Sequence, residues 1–213
     1  MRLLCTAGLI LVSAFYAASL EVEFQPGPGD GKDAFVSSAN PTGNYGDHFH
    51  MYIGRSADTG GDLRAFIEFT GLDSYIADGY TCTEAVLWLS IFSVNSGPAD
   101  EYGVCRVEDD WAEDTIAWDN QPGFGGTPVI FEEPWPGDYP IDVTAIVAEW
   151  FDGTADHHGF CIKHEDEASE DNGNFGCSSS DDSASDNHPK LTVTLTGEAV
   201  EPSSLGRTKA AFK

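Results

Sequence analysis

The side chains of this chain that could do chemistry are mainly carboxylates. Asp and Glu together number 36 among 213 residues, against 10 Lys and Arg, and the formal net charge is −26. Acid-catalysed glycoside cleavage needs two carboxylates at a defined separation, but in so acidic a chain close pairs arise from composition alone. A serine nucleophile would need a strained turn such as Gly-x-Ser-x-Gly, and the sequence contains none. We therefore predict no catalytic residue and no enzymatic activity.

Metal binding is better served by oxygen ligands than by histidine. His48 and His50 have the spacing of one strand face, but they fall in a turn-like segment, where we expect a solvated pair. The segment 164–188 holds eight acids and no Lys or Arg, so it either binds cations or forms a solvated, self-repelling loop. Calcium takes six to eight oxygen ligands, which Asp- and Asn-rich loops supply. Calcium is therefore the expected cofactor, with these candidate ligands: Asp171, Asn172, Asn174, Asp181 and Asp182.

Sugar binding would use exposed aromatic faces rimmed by polar groups. Trp135 and Tyr139 lie in a Pro-rich stretch, Glu133 to Tyr139, where burial is hard to arrange. Together with Tyr102 and Phe124 they form the candidate ligand-binding platform, and a structural role for these rings is the alternative. The negative charge argues against nucleic acid and anionic membrane surfaces. It also favours neutral or cationic glycans over anionic ones, unless calcium bridges the two.

The N-terminus and the cysteines indicate export. Residues 1–19 read as a secretory signal peptide, with Arg2, an apolar run and small residues at the end; the alternative is a buried helix. No later stretch is long enough to span a membrane. Four cysteines remain after the signal, which suits disulfides, and three pairings are possible. We favour Cys161 with Cys177, and by elimination Cys82 with Cys105.

The elements that must position these residues are short strands. Alternating or apolar runs separated by Gly, Pro and Asn turns predict many strands, and one helical pattern near 142–152 places Val143, Ile146, Val147 and Trp150 on one face. The segment Tyr102 to Pro122 carries Trp111 and Trp118, which we expect to pack as a plug on the core. The fold class is all-β, an antiparallel β-sandwich of the jelly-roll type. The domain is expected over 20–197, followed by a basic tail at 198–213.

Several blocks, in this order along the chain, resemble the DNRLRE-domain, or disaggregatase-related, family of secreted β-sandwich modules, which is akin to a carbohydrate-binding module family. The resemblance covers about residues 21–197. Its most specific block is Thr115-Ile116-Ala117-Trp118-Asp119-Asn120-Gln121-Pro122. Other blocks are Gly31 to Pro41, Asn44-Tyr45-Gly46, Tyr52-Ile53-Gly54, Arg64-Ala65-Phe66-Ile67, Trp111, Asp142-Val143-Thr144, Trp150, Gly159-Phe160 and Pro189 to Val193.

The resemblance implies a non-catalytic module, secreted or at the cell surface, whose partner is a polysaccharide or cell-surface glycan. An alternative is a structural or adhesive subunit of an extracellular assembly or fibre, self-associating through the terminal extensions.

Overall fold

The computed structural model of the chain describes residues 19–56, 58–95, 101–132, 134–168 and 173–197. The predicted signal peptide, apart from Ser19, and the predicted tail lie outside these ranges, as do Asp171 and Asn172. Among the described residues, no helix has the length and apolar character needed to cross a membrane.

Eleven antiparallel strands and two short helices make up the described chain. The strands are β1 Ser19–Phe24, β2 Lys32–Ser37, β3 His50–Arg55, β4 Asp62–Glu68, β5 Thr81–Asn95, β6 Glu101–Val107, β7 Phe124–Glu132, β8 Gly137–Asp142, β9 Phe160–His164, β10 Asn174–Ser178 and β11 Lys190–Thr196. The helices are α1 Asp73–Ala77 and α2 Thr144–Phe151, and there are short 3-10 helices at Thr70–Leu72, Trp118–Asn120 and Ser185–Asn187.

The strands form a sheet that folds over on itself. Their order is β1-β11-β5-β10-β3-β4-β9-β6-β7, with β2 beside β4 and β8 beside β5. The sheet bends between β3 and β4, which share only two residue pairs. The bend brings β10 opposite β6, where the ring centroids of Phe175 and Tyr102 are 4.9 Å apart. We call β1, β11, β5, β10, β3 and β8 the front half. The back half consists of β4, β9, β6, β7 and β2. The predicted all-β sandwich is confirmed.

The inner core lies between the two halves. Period-two alternation buries Leu87, Leu89 and Ile91 of β5 and Leu191 and Val193 of β11, because alternate side chains of a strand point to the same face.

The predicted helix is present, and a second one was not predicted. In α2, Ile146, Val147 and Trp150 are buried, and the Asp142 carboxylate accepts a hydrogen bond from the Thr144 backbone N–H at 3.0 Å. Gly153 follows the helix with a φ of +74°, the left-handed conformation that glycine adopts readily after a helix. The second helix, α1, has only five residues and buries none of them, so it carries no apolar stripe that a sequence pattern could show.

The connection from β6 to β7 covers the outer face of the back half. Trp111 and Ile116 pack there with Phe66 and Cys161. We call the whole group the outer cluster; its members are Ala34, Val36, Phe66, Val107, Trp111, Ile116 and Cys161. The Trp111 indole N–H donates to the His158 carbonyl at 3.1 Å. The two-tryptophan segment is therefore packed, as expected, but on an outer sheet face rather than on the inner core.

The cysteines contradict the predicted disulfides. Cys82, Cys105, Cys161 and Cys177 are all buried free thiols. Cys161 belongs to the outer cluster and Cys177 to the inner core, so the sheet separates the two side chains. Cys105 lies directly opposite Cys161 in the β6–β9 pair and so faces the same side as Cys161, whereas Cys82 lies in the inner core. Neither predicted bond can form in this fold.

Candidate functional site

Three of the four predicted platform residues lie in packed surroundings. Tyr102 is fully buried between Phe131 and Phe175, because it lies on β6 facing the inner core. Tyr139 is 5% exposed, and its hydroxyl donates to the Glu132 carbonyl at 2.9 Å. The prediction of a four-residue exposed platform is therefore wrong for these two tyrosines.

The reason for the burial of Tyr139 is that its Pro-rich segment is partly a strand. Residues 137–142 form β8 and pair with β5, placing Tyr139 opposite Leu89 and Pro140 opposite Trp88. Because β8 pairs on one side only, it is an edge strand, where proline is tolerated.

Phe124 and Trp135 differ in their exposure. Phe124 is partly buried on the outer cluster, with the Arg64 guanidinium carbon 5.0 Å from its ring centroid. Trp135 remains 52% exposed and packs edge-on against Tyr139 at a centroid distance of 4.3 Å. Of the four predicted platform residues, Trp135 is thus the one with a largely exposed side chain.

Another set of rings forms a continuous exposed surface on the front half. Phe92 of β5 is 43% exposed and Phe49, just before β3, is 53% exposed. His50 lies between them, with ring centroids 4.1 Å from Phe92 at an interplanar angle of 30° and 4.3 Å from Phe49. Tyr52 meets Phe92 edge-on at 6.0 Å. We call Phe49, His50, Tyr52 and Phe92 the aromatic platform.

The platform depends on a glycine in the strand between β5 and β3. Gly176 of β10 pairs with Tyr52 on one side and Ser93 on the other. A Cβ atom at Gly176 would lie 2.5 Å from Cζ of Phe92, closer than real Cβ contacts allow. The missing side chain therefore lets the Phe92 ring lie across β10 and stack on His50.

Histidines fix the rim of the platform. The His50 backbone N–H donates to Nδ1 of His48 at 3.1 Å, and the His48 ring is stacked on Phe49 at 4.9 Å. Burial lowers the pKa of His50, and the positive charge of His48 acts in the same direction, while Asp182 opposes them. Burial thus disfavours the charged form of the His50 ring, which suits a stacking surface. The two histidines are packed into the aromatic surface rather than solvated as expected.

The polar neighbours of the platform are acidic and hydroxylic. Asp182 accepts a hydrogen bond from the Ser178 hydroxyl at 2.7 Å. The backbone N–H of Ala184, together with this hydroxyl, lowers the pKa of Asp182. The Ser179 hydroxyl donates to the His48 carbonyl at 2.8 Å. Ser178 and Ser179 are both buried, so Asp182 is the polar side chain that this edge of the platform offers to a ligand with C–H faces and hydroxyl groups.

Asn174, Asp181 and Asp182 are the predicted calcium ligands that the structure describes. Asn174 donates its side-chain N–H to the Arg55 carbonyl at 2.8 Å, and Asp182 caps the turn at Ala184. Within the described part of the chain, no group of three or more His, Cys, Asp or Glu side chains is arranged to hold a metal ion. Asp181 is the predicted ligand that lies near other carboxylates, Asp33, Asp47 and Glu113 among them.

A family model for carbohydrate-binding module family 96 matches residues 30–195. The chain belongs to carbohydrate-binding module family 96. The match supports the carbohydrate-binding part of the resemblance but does not confirm the DNRLRE-domain name. A search of curated proteins found no match.

Sequence reasoning missed the platform because its members come from unrelated patterns. Phe92 lies in an apolar run that predicts a buried strand, and Phe49 lies in a turn. One local signal was available: His50 and Tyr52 alternate with Met51 and Ile53, which are fully buried, so a strand assignment over this segment places both rings on the outer face.

Proposed function

We propose that the protein is a secreted, non-catalytic carbohydrate-binding module that engages extracellular polysaccharide through the aromatic platform. The observation that carries the proposal is the contiguous set of rings formed by Phe92, His50 and Phe49, in which Phe92 and Phe49 are 43% and 53% exposed. Aromatic faces of this kind bind the C–H face of a pyranose ring and bury apolar area at little conformational cost.

The charge around the platform supports a neutral or cationic glycan. Asp182 lies beside His50, and the chain carries a net charge of −26. A uronate polymer would bring further negative charge to this surface, and like charges repel over about 10 Å at moderate salt. Family membership supports carbohydrate as the ligand class, whereas the choice among glycans is our inference from these charges.

The binding test compares two exposed aromatic residues on the described surface. The full chain is screened on a glycan array, and binding to the polysaccharide it selects is then measured by affinity electrophoresis for Phe92→Ala and Trp135→Ala. We expect Phe92→Ala to weaken binding about tenfold or more, since stacked aromatic contacts contribute up to about 1.5 kcal/mol beyond their buried area, and Trp135→Ala to bind normally. Loss of binding in Trp135→Ala alone would place the site at the originally predicted loop instead.

The non-catalytic part of the proposal has its own test. The array-selected polysaccharide is incubated with the full chain, and reducing ends and unsaturated products are measured over a day. We expect neither to rise above the level of a heat-inactivated sample. Product release that persists in Phe92→Ala would contradict a purely binding role.

A further inference from the structure

Four carboxylates from four separate segments lie near enough for their charges to act on one another. They are Asp33 of β2, Asp47 of the loop before β3, Glu113 of the two-tryptophan segment and Asp181 of the loop after β10. Oε1 of Glu113 accepts a hydrogen bond from the Asp33 backbone N–H at 2.9 Å. The charges of Asp33, Asp181 and Asp47 all act on Glu113, so the four groups form one electrostatic cluster.

Asp33 has a buried oxygen without a partner. The residue is 2% exposed, and its Oδ2 accepts the Ser180 backbone N–H at 2.9 Å. Its Oδ1 is buried and has no hydrogen-bond partner among the described residues. A buried carboxylate oxygen in this state carries the full cost of its lost hydration. Burial raises the pKa of Asp33 to about 6, and the Asp181 charge adds to this.

Positive charge near the cluster is sparse. His188 is the basic side chain whose charge acts on both Asp33 and Asp181. Lys32 is adjacent in sequence but its ammonium pairs with Glu68 at 2.6 Å and Asp110 at 3.2 Å. Alternate residues of β2 point to opposite faces, which directs Lys32 away from the cluster.

Close backbone packing fixes the cluster in place. A Cβ atom at Gly46, beside Asp47, would lie 2.3 Å from the Glu113 carbonyl oxygen, and one at Gly31 would lie 2.2 Å from the Ser180 hydroxyl. Both glycines let chain segments approach more closely than any side chain would allow. The carboxylates are therefore held together by the fold rather than by chance positions of flexible side chains.

We propose that Asp33 and Glu113 bind a calcium ion, with Asp47 and Asp181 providing further negative charge around it. Calcium takes six to eight oxygen ligands, and backbone carbonyls and waters can serve besides carboxylates. Two directly ligating carboxylates are therefore compatible with calcium. No group of three or more His, Cys, Asp or Glu side chains among the described residues is arranged to hold a metal ion, so the remaining ligands would have to be backbone carbonyls and waters.

Such an ion would join the two-tryptophan segment to β2 and to the loop after β10. It shares Asp181 with the ligand set predicted from the sequence, of which Asp171 and Asn172 lie outside the described residues. Its role is structural and does not depend on the proposed glycan binding.

The test measures thermal unfolding of the full chain after chelation, with calcium chloride added back. A ligand that binds only the folded state, supplied at about 100 times its Kd, raises the midpoint of thermal unfolding by about 5–10 °C for a domain of this size. We expect this shift for the wild type and a matching heat in calorimetry, with magnesium giving much less because it demands a tight octahedral site.

The variants locate the ion. Glu113→Gln and Asp33→Asn are expected to lose the calcium shift while folding at least as stably as the chelated wild type, because each removes a repelling charge. Asp114→Asn, an exposed carboxylate change in the same loop, is the matched control and should keep the shift. No shift or heat in the wild type at about 10 mM calcium, well above the Kd of extracellular modules, would overturn the proposal. So would an equal response to magnesium, or a calcium shift retained in both variants.

Discussion

Replacing Gly176 by alanine tests whether the flat position of Phe92 matters for binding. The added Cβ would lie 2.5 Å from Cζ of Phe92 and 2.9 Å from the Ser93 hydroxyl, where ordinary contacts are 3.4–4 Å. The far end of the Phe92 ring must therefore move by about 1 Å or more, since the backbone of a packed sheet yields less than a side chain. That movement disturbs the stacking of Phe92 on His50, whose ring centroids are 4.1 Å apart.

The expected result is weaker glycan binding with nearly unchanged stability. An aromatic stack is worth about 0.5–1.5 kcal/mol, so Kd should rise about two- to tenfold. Gly176 is not among the positive-φ glycines, so alanine fits the backbone, and the free energy of unfolding should change by less than about 1 kcal/mol.

The assay is isothermal titration with the array-selected glycan, paired with urea unfolding. Gly29→Ala is the matched control, because a Cβ there has no atom within 4 Å, and it should bind like the wild type. Wild-type affinity in Gly176→Ala would refute the reasoning, as would a loss of affinity explained by unfolding.

Three further predictions concern stability and the thiols. Arg64→Lys should lower the free energy of unfolding by about 1–2 kcal/mol in urea titration, because lysine cannot reproduce the paired contacts of 2.7 and 2.6 Å to Glu167; a change below about 0.5 kcal/mol would contradict this. Trp111→Phe should cost about 1 kcal/mol or more by the same assay, from the lost hydrogen bond to His158 and the lost ring volume, and a neutral result would show that the segment does not anchor the outer cluster. Burial raises the pKa of four thiols, those of Cys82, Cys105, Cys161 and Cys177. We therefore expect all four to react slowly with a disulfide reagent in the native protein and completely after unfolding in denaturant without reductant. If fewer than these four react after unfolding, some of them are joined in disulfides.

The sequence patterns were informative where the physics is local. Alternation in β11 and the helical spacing around Trp150 each report one element's own buried face, and both predictions are confirmed. Tyr139 shows the limit. Its proline neighbours suggested a loop, and only the pairing of β8 with the edge of β5 turns that segment into a strand and buries the ring.

The candidate sites depend on strand order, which no local pattern carries. Phe92 and His50 lie more than forty residues apart in sequence, and they stack because β10 inserts between β5 and β3 with a glycine at the crossing point. Asp33 carries no local sequence signal of a binding site, and its unpartnered oxygen lies where the Ser180 loop packs on β2.

The distribution of aromatic rings argues that glycan binding is confined to one half of the sandwich. On the back half, Trp111 packs under the Lys32 ammonium at 4.7 Å and Trp118 under the Arg64 guanidinium at 4.2 Å, so cations cover the faces that a sugar would need. On the front half, Phe49 and Phe92 are exposed, and their neighbours are other rings and the Asp182 carboxylate. A sugar that approaches the back half would have to displace an ion pair, whereas on the front half it displaces only water. The two-tryptophan segment therefore serves to pack the back half, and the proposed ligand-binding surface lies on the front half.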